Sequence, residues 1–262
     1  MNDPLFAISA IDGRYAVETF PLRKYMGEAA LMRERVQVEI EYLISLSEEE
    51  AISLELTEEE IKALRETYSS FGETDAKVVK EIEKTGYKEY KATNHDVKAI
   101  EYFLREKTPE KIHPWIHFGL TSEDVTNIAY RVLVRGSMEE ILIPAIQAVK
   151  KEIDNLAIEY RDKPMLSLTH GQPATPTTFG KEMAIYSSRL GKMQKSIEDA
   201  TGGLGGKLSG ASGNYAAQVV AIPEVDWPEV SKKVVNGLGF EHIPLTTQIN
   251  PGEDLAILFS MM

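Results

Sequence analysis

From Ser122 to Tyr160 apolar residues recur at helical spacing for nearly forty residues, and a run of that length constrains the fold more than any other feature of the chain. At about 1.5 Å per residue it spans on the order of 50 Å, more than a small single domain can cover, so bundling with other helices or other copies is expected. Gly136 and Pro144 interrupt the pattern and predict kinks rather than ends. Elsewhere the period is again helical and alternating β-patterned runs are few, which predicts an all-α chain. One amphipathic helix is expected from about Leu22 to Leu46. A second starts at Thr57, where Glu58, Glu59 and Glu60 make a capping-box signature, and runs toward Lys84. Thr85 to Lys91 reads as a polar loop, and Asp96 opens a helix over Val97 to Glu106. A long helix is expected from Thr177 past Ala200. These elements predict a small helical domain over residues 1–112 and a long-helix bundle domain over 113–262.

Composition narrows the chemistry. The 262 residues suffice for a large core, and no cysteine is present, which removes disulfides, thiolate zinc sites and cysteine nucleophiles. A formal charge of −12 argues against a nucleic-acid partner. No run of eighteen apolar residues and no basic, then apolar, leader stands in the sequence, so no membrane span or secretory signal is expected and a cytoplasmic location is the default.

The clearest candidate for acid-base work is His170, in LSLTHGQPATPTTFGKEM (Leu166 to Met183). Pro173 and Pro176 hold the backbone extended after it, and Thr177 or Thr178 can cap the helix that follows, so the imidazole stands at a fixed entrance to that helix. Thr121 and Ser122 form an N-cap pair before Glu123 and Asp124, where free N–H groups and a positive helix start suit a carboxylate. Asn94, His95 and Asp96 read equally as a cap and turn or as ligand contacts. Arg14 and Tyr15 follow the turn dipeptide Asp12-Gly13. The glycine-rich run Thr201 to Asn214 lacks Walker spacing and reads as a long flexible connection. His113 and His117, four apart with Pro114 between them, match no zinc pattern, and His242 reads as a surface residue.

Seven segments in order carry a resemblance: SAIDGRY (Ser9 to Tyr15), TNHDVKAIEYFLREK (Thr93 to Lys107), IHFGLTSEDVTN (Ile116 to Asn127), THGQPATP (from Thr169), GKLSGASGNY (Gly206 to Tyr215), PEVDW (Pro223 to Trp227) and LTTQINP (Leu245 to Pro251). Together they resemble the bacterial type of the adenylosuccinate lyase family, within the fumarase/aspartase superfamily, over nearly the whole chain. The resemblance implies a fumarase/aspartase-like helical fold and a C–N bond elimination that releases fumarate, with no cofactor. It implies a small-molecule substrate, adenylosuccinate or the related succinyl-carboxamide imidazole ribotide, and a homotetramer whose active sites each draw residues from three chains. It assigns His170 as the acid that protonates the departing nitrogen. Arg14 and Tyr15 are assigned to the nucleotide, and Asn94, His95, Asp96, Thr121, Ser122 and Gln248 to substrate contacts. It also places the glycine-rich run close to the active site. The segment Thr85 to Lys91 departs from the family pattern by lengthening the approach to Asn94. The family's catalytic serine, in a loop of the form GSSxMPxKxNP, has no counterpart here, and LAILFSMM ends without a cap. The expectation is therefore a chain cut inside a helix and inactive alone. Two alternatives stand beside this reading: another superfamily lyase such as argininosuccinate lyase, and a non-catalytic helical protein that binds nucleotide or assembles with a lyase.

Overall fold

The computed structural model describes residues 4–262. The chain is mostly helical, with two small two-stranded sheets. Contacts divide it into two compact units: one runs to Val134 and resumes over Leu204–Gly252, and the other comprises Arg135–Gly203 and Glu253–Met262. The boundary expected near residue 113 falls inside the first unit. Segments beyond it return to the amino-terminal helices, as the Tyr42 hydroxyl donating to the Phe118 carbonyl at 2.9 Å shows.

In the first unit, α1 (Arg23–Met26) and α2 (Glu28–Leu46) replace the single helix expected from Leu22. Gly27 separates them with an extended backbone, ψ 154°. The core of this unit is α2, whose Val36, Val38, Ile40, Leu43 and Leu46 are sealed from solvent. Around α2 pack α3 (Glu58–Ser69), α4 (Glu73–Lys84), α5 (Asp96–Lys107) and α10 (Trp227–Gly237). The capping box starts α3 as expected: Glu60 N–H donates to Thr57 Oγ1 at 3.2 Å, and Thr57 N–H to Glu60 Oε2 at 2.9 Å. The pattern toward Lys84 is nevertheless two helices, because Gly72 adopts an extended conformation and caps α4.

Segment 85–91 is a loop, as expected, closed by a tight turn. Tyr87 and Tyr90 bond to each other across a tight turn, the Tyr90 ring stacks on Tyr102 at 4.5 Å, and Lys88 pairs with Glu106 of α5. The turn then rejoins α4, with Asn94 N–H donating to the Glu83 carbonyl at 2.9 Å. The lengthened approach thus leaves Asn94 anchored.

The long helical run proves to be α6 (Ser122–Ser137), a π-helical turn (Met138–Leu142) and α7 (Ile143–Glu159). Pro144 accounts for the irregularity. It has no N–H to donate to Glu140, and the ladder widens just before it, so that Ile143 N–H reaches back to the Met138 carbonyl. In the second unit α7 packs against α8 (Phe179–Gly202). Between these helices lies a hairpin of β1 (Pro164–Thr169) and β2 (Gln172–Thr178), where an extended segment was expected. Thr178 caps α8, accepting from Lys181 N–H at 3.2 Å. The remaining elements are β3 (Gly205–Gly206), α9 (Ala216–Ala221), β4 (Glu241–His242), which pairs with β3 in parallel, and α11 (Glu253–Ser260) against α8. Among the described residues no helix is long and apolar enough to cross a membrane.

Candidate active site

A network of buried hydrogen bonds gathers at the start of α6. Asp124, the third residue of the helix, has no exposure, yet both of its oxygens are occupied. Oδ2 accepts from Thr121 N–H at 2.8 Å and Gly210 N–H at 3.1 Å, while Oδ1 accepts from Ser209 N–H at 2.9 Å and Lys207 Nζ at 2.8 Å. Lys207 is equally buried, and its ammonium also donates to the Gly210 carbonyl at 2.7 Å. One turn on, Asn127 accepts from Lys207 N–H at 2.9 Å and donates back to the Lys207 carbonyl at the same distance. Asn250 completes the knot with donations to Asn127 Oδ1 and to the Gly205 carbonyl.

These bonds correct the reading of residues 201–214 as a flexible connection. Leu204 through Gly210 are buried without exception. Their backbone groups are satisfied by Asp124 and Asn127 of α6, by the backbone of Glu241 and Ile243, and by Ser231 and Asn250, which is why a glycine-rich segment can pass through the interior. Ser209 Oγ meets Thr246 Oγ1 at 3.1 Å, so the same segment anchors the loop that carries Gln248. Gln248 itself is exposed.

Facing the start of α6 is the N-cap of α5. His95 holds that position, its Nδ1 accepting from Lys98 N–H at 3.1 Å, so a neutral ring carries its proton on Nε2. Nε2 lies 3.4 Å from Ser122 Oγ. Cap and ligand contact, the two readings of this segment, are therefore compatible, because one ring nitrogen serves the helix and the other is directed at Ser122. Asp96 pairs with Arg35 at 2.8 Å; burial alone would raise its carboxyl, but Arg35 and the Val97 N–H outweigh burial and hold it below the usual carboxylate range. Asn94 is exposed, with φ 49°.

Glu39 and His117 form a pair that sequence reasoning missed. Glu39 is fully buried and accepts from both His117 N–H at 3.1 Å and Nδ1 at 2.5 Å, fixing the turn that leads into Thr121 with His117 at φ 60°. Burial pushes the His117 imidazole down, but the charge and hydrogen bond of Glu39, with Glu101 and Asp124, outweigh it, so the ring titrates above its ordinary 6.5. A raised folded-state value means that this contribution to stability is complete below about pH 6.5 and is lost as pH rises through the folded value. Melting temperatures measured from pH 5.5 upward should therefore fall above pH 6.5 in the wild type, and Glu39→Gln should flatten that decline. An unchanged slope in the variant would refute the assignment.

The other predicted residues lie elsewhere. Arg14 and Tyr15 are exposed in the turn-rich segment before α1, the guanidinium 5.8 Å from the neighbouring ring centre. His170 belongs to the second unit, where it and Gly171 form the two-residue tip of the β1–β2 hairpin with φ 52° and 72°. Positive φ at both central positions defines a type I′ turn, in which asparagine and glycine are usual, and a histidine there is exposed and backbone-constrained. His242 is half-buried rather than on the surface, and burial together with Lys232 holds its imidazole below the ordinary value. His113 Nε2 lies 3.0 Å from the Thr108 carbonyl. Among the described residues no cluster of three or more His, Asp or Glu side chains is arranged to hold a metal.

The fold resembles the crystal structure of a fumarate lyase from Mesorhizobium sp. BNC1, with a TM-score of 0.68 at 20% identity over 92% of this chain and 53% of that one. The family model described as "Lyase" matches residues 13–262, and the chain belongs to that lyase family. More particularly, it is 40% identical to the adenylosuccinate lyase of Escherichia coli K12 over 97% of its own length and 56% of the relative's. It is 41% identical to that of Dictyostelium discoideum over 97% and 55%. The chain thus spans a little over half the length of the relatives it matches.

Proposed function

We propose that the chain forms part of an adenylosuccinate lyase, eliminating fumarate from adenylosuccinate to give AMP and from the related succinyl-carboxamide imidazole ribotide. The observation that carries this reading is the convergence of His95 Nε2 and Ser122 Oγ, 3.4 Å apart, at the start of α6. Thr121 and Ser122 would take a carboxylate of the succinyl group, with Ser122 N–H, Ser122 Oγ and the His95 Nε2–H as donors. Thr121 N–H is not among them, because Asp124 occupies it. Asn94, His95, Asp96 and Gln248 line the same ligand, and Arg14 and Tyr15 meet its phosphate, for which a planar guanidinium is suited.

In the reaction a base removes the proton from the carbon next to a succinyl carboxylate, that electron pair forms the double bond of fumarate, and the C–N bond breaks. The departing nitrogen takes a proton from His170. A positioned acid of this kind contributes about 10²–10⁴ in rate. The base that the family supplies from its GSSxMPxKxNP loop corresponds to no segment of these 262 residues. The chemistry calls for no cofactor.

The hairpin supports a shared site. A two-stranded ribbon is marginal by itself in water, and this one leaves Leu166 and Leu168 52% and 65% exposed. Ile158 of α7, Tyr186 of α8 and Phe259 of α11 are exposed as well. Burial of these side chains in a homotetramer would bring the His170 of one chain to the α6 start of another. Spectrophotometric assay of adenylosuccinate cleavage by a protein that carries these residues together with the serine loop, with argininosuccinate in parallel and the mass in solution measured by light scattering, tests the reading. Release of fumarate from adenylosuccinate alone by a tetramer is the expected result. Cleavage of argininosuccinate alone would replace the substrate, and nucleotide binding without fumarate release would replace the enzyme by a binding protein.

A further inference from the structure

The start of α6 carries two acids in its first turn, Glu123 and Asp124. Acids there stabilise a helix, because they offset its positive end. The same offset works against an anionic ligand at that end, and the chain as a whole is already at −12. Asp124 is the greater obstacle. It is fully buried, so solvent screens its charge little, and it consumes the Thr121 N–H that would otherwise be open to a ligand. Against it stands Lys207, which has no exposure and makes its ion pair with Asp124 at 2.8 Å, its other bond going to a neutral carbonyl. A fully buried lysine is costly to desolvate, and its contact set here matches one task, cancelling the charge of Asp124.

We propose that Lys207 is a specificity-determining residue of the dicarboxylate site: by neutralising Asp124 it keeps the start of α6 positive and hence receptive to the carboxylate of the substrate. The N–H groups of Ser122 and Glu123, which have no partner earlier in the helix, can then face that carboxylate with the helix potential intact. Asp124 supplies the framework by gathering Thr121, Ser209 and Gly210, and Lys207 removes the electrostatic penalty that this framework would impose. The inference rests on the reading of Ser122 as a carboxylate contact, and it assigns to a residue that touches no substrate a measurable effect on substrate charge preference.

The test titrates fumarate into the 262-residue chain and follows the amide resonances of Ser122 and Glu123 in wild type, Lys207→Met, Asp124→Asn and the double variant. At the separations involved one buried charge is worth on the order of tenfold in affinity. Lys207→Met should weaken fumarate binding by about that factor, Asp124→Asn should strengthen it, and adding Asp124→Asn to Lys207→Met should restore what the single change loses. A purely structural pair predicts weakening in both single variants, Asp124→Asn included, with recovery in the double once no buried ion is left unpaired. That pattern would overturn the proposal, as would wild-type amides that do not respond to fumarate. Should Lys207→Met fail to fold, Asp124→Asn still decides, because the proposal predicts tighter fumarate binding there and a structural pair predicts weaker binding. Turnover of adenylosuccinate is measured separately, in a protein that also carries the serine loop: its absence with the charge order intact refutes the lyase reading and not this one.

Discussion

In the complete enzyme, replacing His170 by alanine should lower turnover by about 10²–10⁴-fold while leaving substrate affinity nearly unchanged. The size follows from the role proposed for this ring, which delivers a proton in the transition state and makes no contact needed to hold the ground state. The hairpin tip dictates the choice of control. With φ 52° at residue 170, alanine is strained there, whereas asparagine favours the left-handed region and suits a type I′ turn. His170→Asn should therefore keep the hairpin and the assembly while losing the acid. Equal loss of turnover in both variants, with unchanged mass in solution, is the expected pattern; near-normal turnover in His170→Asn would refute the acid role.

The largest stability effect should come from Lys207→Met. It leaves Asp124 buried and charged with only backbone donors, and breaking a buried pair from one side costs about 3–5 kcal/mol. In a domain of this size that corresponds to a fall in Tm of roughly 10 °C. Removing both charges with Asp124→Asn/Lys207→Met should recover most of the loss, since no unpaired ion remains. Thermal melts of the three proteins decide the matter. A Lys207→Met variant as stable as wild type would mean that Asp124 is satisfied without the ammonium.

Local signals were legible where local chemistry decides. The capping box at Thr57 and Glu60, the cap of α8 at Thr178 and the helix opening at Asp96 follow from side chains reaching backbone groups three residues away. Breaks were harder to read. Gly27 and Gly72 interrupt runs of continuous helical pattern, and nothing nearby in sequence distinguishes a helical glycine from an extended one. The hairpin at residues 164–178 escaped because two prolines and two adjacent threonines read as an extended entry to α8, and the strand that pairs with them, Pro164–Thr169, has no strong alternation.

The candidate site divides in the same way. His95 and Ser122 are named by their motifs, but the 3.4 Å between them joins the starts of two helices 27 residues apart. Lys207 gives no local sign of its partner, because Asp124 lies 83 residues earlier and the glycines around the lysine suggest freedom rather than burial. Glu39 and His117 are 78 residues apart and carry no shared pattern.

The sequence by itself determined the helical class, the helix starts at Thr57, Asp96, Ser122 and Thr178, and the lyase family, because caps, periodicity and signature runs are encoded within a few residues of one another. The tertiary structure alone decided where the glycine-rich segment goes, which charges are buried together and that His170 stands on a strained hairpin tip. Those properties depend on long-range contacts whose energy comes from excluding water around paired charges and satisfied backbone groups, and no local pattern along the chain records which distant residue completes the pair.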